Sequence, residues 1–161
     1  MSCELPANHP VIDHAKVGKE VKEFTLETFD PKEGFFGTVS LAEIKKAGKW
    51  TVLFFYPADF TFVCPTELDD LSDFYEQFKE IGCEIYSVST DTHFVHKAWA
   101  DASETIMRIQ YPMLADPACV LSRFFGVMVE SDGQALRGTF IVDPEGVIKA
   151  YEIHDMGIGR N

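Results

Sequence analysis

The stretch WTVLFFYPADFTFVCPTELDDLSDFYEQFKEI, residues 50–81, decides the fold. Its first part, residues 51–56, is a short apolar run rich in β-branched and aromatic side chains, which is typical of a strand covered on both faces in an α/β sheet. After Pro65 the apolar residues recur at steps of one, three or four, and this spacing predicts an amphipathic helix that lies on the sheet and ends near Gly82. The predicted apolar face is Leu68, Leu71, Phe74, Tyr75, Phe78 and Ile81, and the opposite face includes Glu67, Asp69, Asp70 and Asp73. The stretch therefore joins a buried strand to a helix, with Cys64 at the junction.

Cys64 lies at the predicted start of this helix. Pro65 fits the first helical turn, because the N–H groups of that turn have no partner within the helix. Those N–H groups and the positive end of the helix dipole favour a thiolate over a thiol. The alternative is a small apolar residue at a helix start, since cysteine is among the most often buried residue types. Position alone leaves both interpretations open.

Composition predicts one domain over residues 1–161. A chain of 161 residues and 18.1 kDa, 46% of it hydrophobic, closes one substantial core. The net charge is −12, from 14 basic and 26 acidic residues, which argues against nucleic acid or an anionic membrane surface as a general partner. No apolar run has the length of a signal peptide core or of a bilayer span, so we expect a cytoplasmic protein that does not enter membranes.

The cysteines and histidines show no metal or disulfide pattern. The four cysteines are far apart and lack both a C-x-x-C motif and the paired spacing of structural zinc sites; they are Cys3, Cys64, Cys83 and Cys119. His93 and His96 are three positions apart on a predicted helix, without a ligand of clear spacing nearby. We expect no disulfide scaffold, no metal and no cofactor.

The rest of the chain predicts alternating strands and helices. Residues 1–17 form an N-terminal arm, and residues 24–39 form a hairpin. Ser40 caps a helix over residues 41–47, with Glu43 as its partner. The further elements are a strand at 83–89, a helix at 90–102, an extended piece at 111–114, a short helix after Pro117, and a hairpin of strands at 138–142 and 146–153. This order predicts parallel crossovers in a mixed sheet flanked by helices.

Pro57, Thr61 and Cys64 have the spacing P-x-x-x-T-x-x-C within YPADFTFVCPTEL. On this motif the chain resembles the peroxiredoxins, which are cysteine-dependent peroxidases of thioredoxin-like fold. The segments STDTHFVHKAW and LRGTFIVDPEG, residues 89–99 and 136–146, resemble the typical two-cysteine subfamily, in particular the group of alkyl hydroperoxide reductase subunits C. The resemblance implies an α/β, thioredoxin-like fold with a central mixed sheet flanked by helices and an N-terminal hairpin.

The resemblance also implies a role for each matched residue. Cys64 is implied to be the peroxidatic cysteine, Thr61 to bind the peroxide oxygens through its hydroxyl, and Pro57 to shield the pocket from water. Arg137 is implied to hold the thiolate and bind the peroxide, and Glu67 to orient that arginine. Taken without the resemblance, the sequence is also compatible with two ordinary interpretations. Arg137 would then be a surface arginine before an apolar strand, and Glu67 an acidic residue of the first helical turn, favoured by the helix dipole.

The implied activity is reduction of hydrogen peroxide and organic hydroperoxides to water or alcohols through a cysteine sulfenic acid. The implied partners are a thioredoxin-like protein or a flavoprotein disulfide reductase as reductant, and further copies of the chain in homodimers that assemble into a decameric ring. In the subfamily, a resolving cysteine in the C-terminal tail of a partner subunit reduces the sulfenic acid. This sequence stops at GIGRN before that tail, so we expect a shortened chain or a one-cysteine route. Cys83 and Cys119 do not match the resolving position, and both are predicted to be buried.

Other conspicuous residues are predicted to be structural. Trp99, Phe94 and Val95 are expected in the core. His93 and His96 are expected to have no catalytic role, and Asp59 and Phe60 to shape the loop and, by the resemblance, a subunit contact. The alternatives are a non-enzymatic oligomeric scaffold and a thiol–disulfide oxidoreductase; the absence of a second cysteine near Cys64 disfavours the latter.

Overall fold

The computed structural model describes residues 15–160. Its strands are β1 (Thr25–Asp30), β2 (Phe35–Ser40), β3 (Trp50–Phe55), β4 (Cys83–Ser89), β5 (Met113–Ala115), β6 (Met128–Val129), β7 (Gln134–Ala135), β8 (Arg137–Val142) and β9 (Ile148–His154). Its helices are α1 (Leu41–Ala47), α2 (Cys64–Asp73), α3 (Tyr75–Glu80), α4 (His93–Ala102), α5 (Glu104–Met107) and α6 (Val120–Phe124). The predicted N-terminal arm lies almost entirely outside the described residues, and so does Cys3.

Seven strands form one mixed sheet in the order β2-β1-β5-β4-β3-β8-β9. The central pairs β3–β4 and β4–β5 are parallel, whereas β1–β2, β1–β5, β3–β8 and β8–β9 are antiparallel. The strands β6 and β7 form a separate two-stranded sheet. The predicted α/β fold, with a central mixed sheet, flanking helices and an N-terminal hairpin, is confirmed.

Strand β3 is covered on both faces, as its apolar sequence predicts. Val52 and Phe54 belong to a core cluster that also contains Leu68 of α2 and Trp99 of α4. The alternate residues of β3 join a second cluster, on the other face of the sheet, with residues of α1 and α6. Because side chains alternate along a strand, a continuous apolar run is required for both cores.

The helix predicted after Cys64 is divided at Phe74 into α2 and α3. Phe74 and Ile81, predicted to face the core, are 53% and 75% exposed, and Glu67, predicted on the polar face, is buried. The break changes the direction in which later residues point, so one helical period does not describe the whole segment. Gly82 follows α3 with φ of 77°, as expected for a residue that ends a helix.

Local sequence signals predict most of the other elements correctly. Ser40 and Glu43 form the predicted capping box at the start of α1. Helix α4 begins later than predicted because the Thr92 side chain accepts a bond from the Val95 amide and so caps it. On α4, Trp99 is in the core as predicted, but Phe94 is 64% exposed. The elements α5, β6 and β7 were not predicted, since two to four residues carry no measurable periodicity.

None of the helices in residues 15–160 has the length and apolar character needed to cross a bilayer.

Candidate active site

Cys64 is the first residue of α2, and Pro65 lies in the first turn. The helix has no side-chain cap at this end, where Val63 is the N-cap residue. The thiol is fully buried, in the core cluster that contains Leu68 and Phe54. The sulfur therefore lies at the positive end of a helix in a site shielded from water, where nearby charges act strongly.

Arg137 lies directly beside this sulfur. Its Nη1 donates to Cys64 Sγ at 3.2 Å, and its Nε donates to the Met156 carbonyl at 2.8 Å. The sheet register explains the contact: β8 runs antiparallel to β3 with Thr139 opposite Phe54, so the start of β8 lies near the end of β3 where the loop to Cys64 begins. The buried guanidinium is thus aimed at the sulfur.

Glu67 connects two arginines. It lies three positions after Cys64 and so on the same side of α2. One carboxylate oxygen accepts a hydrogen bond from Arg137 Nη1. The other accepts from Arg160 Nε at 2.7 Å and from the Arg160 backbone amide at 2.9 Å. The carboxylate therefore fixes the orientation of both guanidinium groups.

Arg160 is a site residue that the sequence pattern does not predict. Its Nη1 donates to the Gly138 carbonyl at 3.0 Å and to Thr139 Oγ1 at 3.3 Å, and its guanidinium carbon lies 3.5 Å from the centroid of the Phe54 ring. Burial lowers the pKa of Arg160, although the hydrogen bond and charge of Glu67 act in the opposite direction. The only signal in the sequence was an isolated arginine in a glycine-rich segment, which predicts no position in space.

The charges of the site favour an anion at the sulfur. Two guanidinium groups, Arg137 and Arg160, face one carboxylate, Glu67, so the three groups carry a net charge of 2 − 1 = +1 when ionised. A thiolate at Cys64 would neutralise that charge in a buried place, where an unbalanced cation is costly. The arrangement is therefore suited to a reactive thiolate.

Residues 155–160 cover the start of α2. The Met156 carbonyl holds Arg137, and the side chain and amide of Arg160 hold Glu67. A methyl group added at Gly159 would lie 3.3 Å from Val63 Cγ1, so the backbone here passes close to the N-cap residue of α2. This segment is part of the wall of the site.

Pro57 and Thr61 lie on the loop that precedes Cys64. Pro57 is buried, and Thr61 is partly exposed with its hydroxyl donating to the Ala58 carbonyl at 3.0 Å. A hydroxyl oxygen also accepts hydrogen bonds, so Thr61 can still receive one from a substrate. The fold thus brings Cys64, Glu67 and Arg137 into one hydrogen-bonded group, and leaves Pro57 and Thr61 on the loop that leads to Cys64.

Cys83 and Cys119, the other two cysteines among residues 15–160, lie on other elements of the fold. Cys83 begins β4 opposite Trp50, at the end of β3 remote from Cys64, and burial together with the charge of Glu84 raises the pKa of its thiol to about 11. Cys119 precedes α6 and is half-buried rather than buried as predicted; desolvation and Asp116 raise its pKa. No cluster of three or more metal-ligating side chains occurs among residues 15–160.

A cavity of about 570 Å³ adjoins the site without containing the sulfur. Its lining is mostly apolar side chains of α2, α3, β3 and β8, with Glu67 and Arg160 along one side. Neither Cys64 nor Thr61 lines it. The cavity is therefore separate from the space in which a substrate would meet the sulfur.

Comparison with known proteins identifies the family. Residues 17–151 match the AhpC/TSA family. Over 145 residues the chain is 52% identical to alkyl hydroperoxide reductase C of Staphylococcus aureus, which covers 90% of this chain and 76% of that protein. The crystal structure of Enterococcus faecalis AhpC matches with a TM-score of 0.87 and 55% identity, over 91% of this chain and 86% of that one. The reduced 2-Cys peroxiredoxin of Plasmodium vivax matches with a TM-score of 0.83 and 30% identity, over 90% and 75% of the two chains. The chain therefore belongs to the AhpC/TSA family.

Proposed function

We propose that the protein is a thiol-dependent peroxidase that reduces hydrogen peroxide and organic hydroperoxides at Cys64. The observation that carries this proposal is the buried Cys64 sulfur at the start of α2, with Arg137 Nη1 at 3.2 Å. A helix start and a guanidinium both favour the thiolate, which is the nucleophilic form of cysteine. Membership of the AhpC/TSA family supports the same activity.

The reaction begins with attack of the thiolate on one peroxide oxygen. An S–O bond forms as the O–O bond breaks, so that the sulfur is oxidised by two electrons and the peroxide is reduced. The departing alkoxide or hydroxide takes up one proton from solvent and leaves as alcohol or water. Cys64 is left as a sulfenic acid.

The surrounding residues stabilise this step. Arg137 holds the thiolate and binds the peroxide, and Glu67 aims Arg137. Thr61 binds a peroxide oxygen through its hydroxyl, and Pro57 keeps water from the approach. We add Arg160 to this set as a positioning residue, because its two bonds to Glu67 hold the carboxylate against Arg137.

A thiol must then return Cys64 to its reduced state. One thiol condenses with the sulfenic acid to give a disulfide and water, and a second thiol releases Cys64 by exchange. A thioredoxin-like protein or a flavoprotein disulfide reductase is the class of reductant that supplies such thiols. We propose that this chemistry takes place in the cytoplasm. We also propose that residues 1–161 form the single domain that carries it out.

Further copies of the chain are the second class of partner. Large apolar side chains are exposed on the described surface, among them Phe35, Phe62 and Phe94. The strand β9 is an edge of the sheet and carries the partly exposed Tyr151 and Ile153. Exposed apolar groups and sheet edges are typical of subunit contacts. They support contacts between copies of the chain. We propose homodimers that assemble into a decameric ring, which sedimentation velocity would test.

The experiment that tests the activity compares Cys64→Ser with the parent chain and with Cys83→Ser. Cys64→Ser should consume hydrogen peroxide no faster than the dithiol does alone, because serine supplies no thiolate to attack the peroxide. Cys83→Ser should behave like the parent chain. Peroxide turnover by Cys64→Ser at the parent rate would refute the assignment.

A further inference from the structure

A buried polar cluster, made of Tyr56, Asp59 and His96, lies beside the loop that leads to Cys64. Tyr56 and His96 are fully buried, and Asp59 is 6% exposed. The proposed reaction uses none of the three. Burying polar and charged groups costs free energy, so we expect a cluster in this place to contribute to function as well as to packing.

Asp59 is the centre of this cluster. Tyr56 Oη donates to Asp59 Oδ1 at 2.6 Å, and His96 Nδ1 lies 2.6 Å from Asp59 Oδ2. The Asp59 backbone amide donates to Asp91 Oδ2 at 2.8 Å, and that oxygen also accepts from Ser89 Oγ. These partners come from the end of β3, from α4 and from the turn between β4 and α4. One residue of the loop is thus bonded to three separate segments.

The proton arrangement makes the bonds to Asp59 persistent. The Leu114 carbonyl can only accept, so His96 Nε2, at 3.0 Å from it, carries a hydrogen and donates. Desolvation by itself lowers the pKa of His96, but the hydrogen bond and charge of Asp59 outweigh it and raise the pKa. Burial raises the pKa of Tyr56 well above its ordinary value, so its hydroxyl remains a donor.

The anchored loop has a conformation that it would not adopt unaided. Phe60 has φ of 59°, in the left-handed region that a bulky side chain rarely adopts. Its ring packs 6.1 Å from that of Trp99, which is one turn after His96 on α4. The Thr61 hydroxyl closes the turn by donating to the Ala58 carbonyl. The conformation of residues 58–61 therefore depends on contacts with α4 and β3.

We infer that Tyr56 and His96 are positioning residues for the peroxide reaction, which hold Asp59 so that Thr61 is presented to a peroxide approaching Cys64. This inference rests on the proposed function. Asp59 lies two residues before Thr61 and two after Pro57, so its displacement would move both. Among the described residues, no hydrogen bond joins the cluster to Arg137 or Glu67, so the bonds that hold the thiolate are independent of it.

The test separates binding of the peroxide from formation of the thiolate. Tyr56→Phe deletes one hydroxyl, and His96→Gln keeps a donor to the Leu114 carbonyl but loses the bond to Asp59. The matched control is Ser122→Ala, which deletes a buried hydroxyl that donates to another buried carboxylate, Asp116, at 2.8 Å.

Stopped-flow kinetics measure oxidation of Cys64 by hydrogen peroxide, and mass spectrometry measures its alkylation by iodoacetamide. Hydrogen exchange measures the backbone amide of Asp59, which donates to Asp91 Oδ2 at 2.8 Å.

In Tyr56→Phe and in His96→Gln, Cys64 should be oxidised more slowly than in the parent chain by a factor of about ten or more. Small displacements of a group that binds the substrate cost this much in rate. Alkylation of Cys64 should not slow in either variant, the Asp59 amide should exchange faster because its bond to Asp91 is loosened, and Ser122→Ala should match the parent in all three measurements. Oxidation within about twofold of the parent, or a parallel loss of alkylation, would overturn the inference. Unchanged exchange of the Asp59 amide in Tyr56→Phe, which deletes only a hydroxyl, would overturn the inference even if His96→Gln fails to fold. Failure of the proposed function is distinguishable, because the parent chain itself would then not be oxidised.

Discussion

Arg137 donates from Nη1 to the sulfur of Cys64 at 3.2 Å, although 73 positions of sequence separate the two residues. The contact exists because β8 lies beside β3 in antiparallel register, which brings the first residue of β8 to the end of β3. In the proposed mechanism, the reaction at Cys64 therefore depends on this pairing of β3 with β8 as much as on the helix that begins at Cys64.

Replacement of Arg137 by methionine should slow oxidation of Cys64 by about 10²-fold, because one buried donor to the reacting centre is lost. It should also lower the fraction of thiolate at neutral pH, measured by titration of the thiolate absorbance. Arg123→Met is the control, since Arg123 pairs with Glu130 in an exposed place. A thiolate fraction unchanged in Arg137→Met would remove Arg137 from the mechanism.

Replacement of Glu67 by glutamine should destabilise the fold by about 3–5 kcal/mol, because it leaves two buried guanidinium groups without their carboxylate. The peroxide rate should also fall, since Arg137 is no longer aimed. The thiolate fraction should not fall, because removal of the negative charge of Glu67 near the sulfur favours the thiolate and offsets the looser hold of Arg137. Denaturant unfolding gives the stability difference. Glu130→Gln, at the exposed pair with Arg123, should change stability by less than about 1 kcal/mol. Equal losses in the two variants would contradict the role given to Glu67.

Treatment with excess peroxide in the absence of added thiol should carry Cys64 to sulfinic acid. We expect no disulfide with Cys83 in the folded chain. Cys83 lies opposite Trp50 at the start of β3, whereas the loop to Cys64 follows Phe55, and the five strand steps between them span about 17 Å, against the roughly 7 Å that a disulfide allows between Cα atoms. Non-reducing mass spectrometry of a Cys3→Ser variant is the measurement, with a small thiol added in a parallel sample to restore turnover. A disulfide from Cys64 to Cys83 or Cys119 would show that one of these is a resolving thiol.

The buried pair of Asp59 and His96 should make stability decrease as pH rises. The pKa of His96 is higher in the folded chain than its unfolded value of about 6.5, so protonation stabilises the fold below that pH, and the stabilisation is lost as pH rises through the folded value. Burial raises the pKa of Asp59 as well, which acts in the same direction. The double variant Asp59→Asn/His96→Gln has neither group. The difference in unfolding free energy between parent and double variant should shrink from pH 6.5 upward, and a difference that grows would contradict the assignment.

The helix caps and most strands were predictable because their signals are local. The capping box of Ser40 and Glu43 involves residues three apart, and β4 has the bounds that its alternating sequence predicts. The break at Phe74 and the burial of Glu67 were not predictable, since both depend on what α2 packs against. The exposure of Phe94 has the same origin: a helix period identifies an apolar face but not the depth of each residue.

The sequence by itself indicated the type of chemistry, because Pro57, Thr61 and Cys64 lie close in the chain and carry the resemblance to the peroxiredoxins, and a helix that begins at Cys64 needs only local residues. Only the tertiary structure decided how the sulfur is surrounded. Arg137 reaches it across 73 positions, and Arg160 reaches Glu67 across 93. His96 likewise reaches Asp59 from another helix, across 37 positions. Contacts of this range are set by strand register and helix packing, and those are decided by the free energy of the whole core rather than by any segment's own pattern.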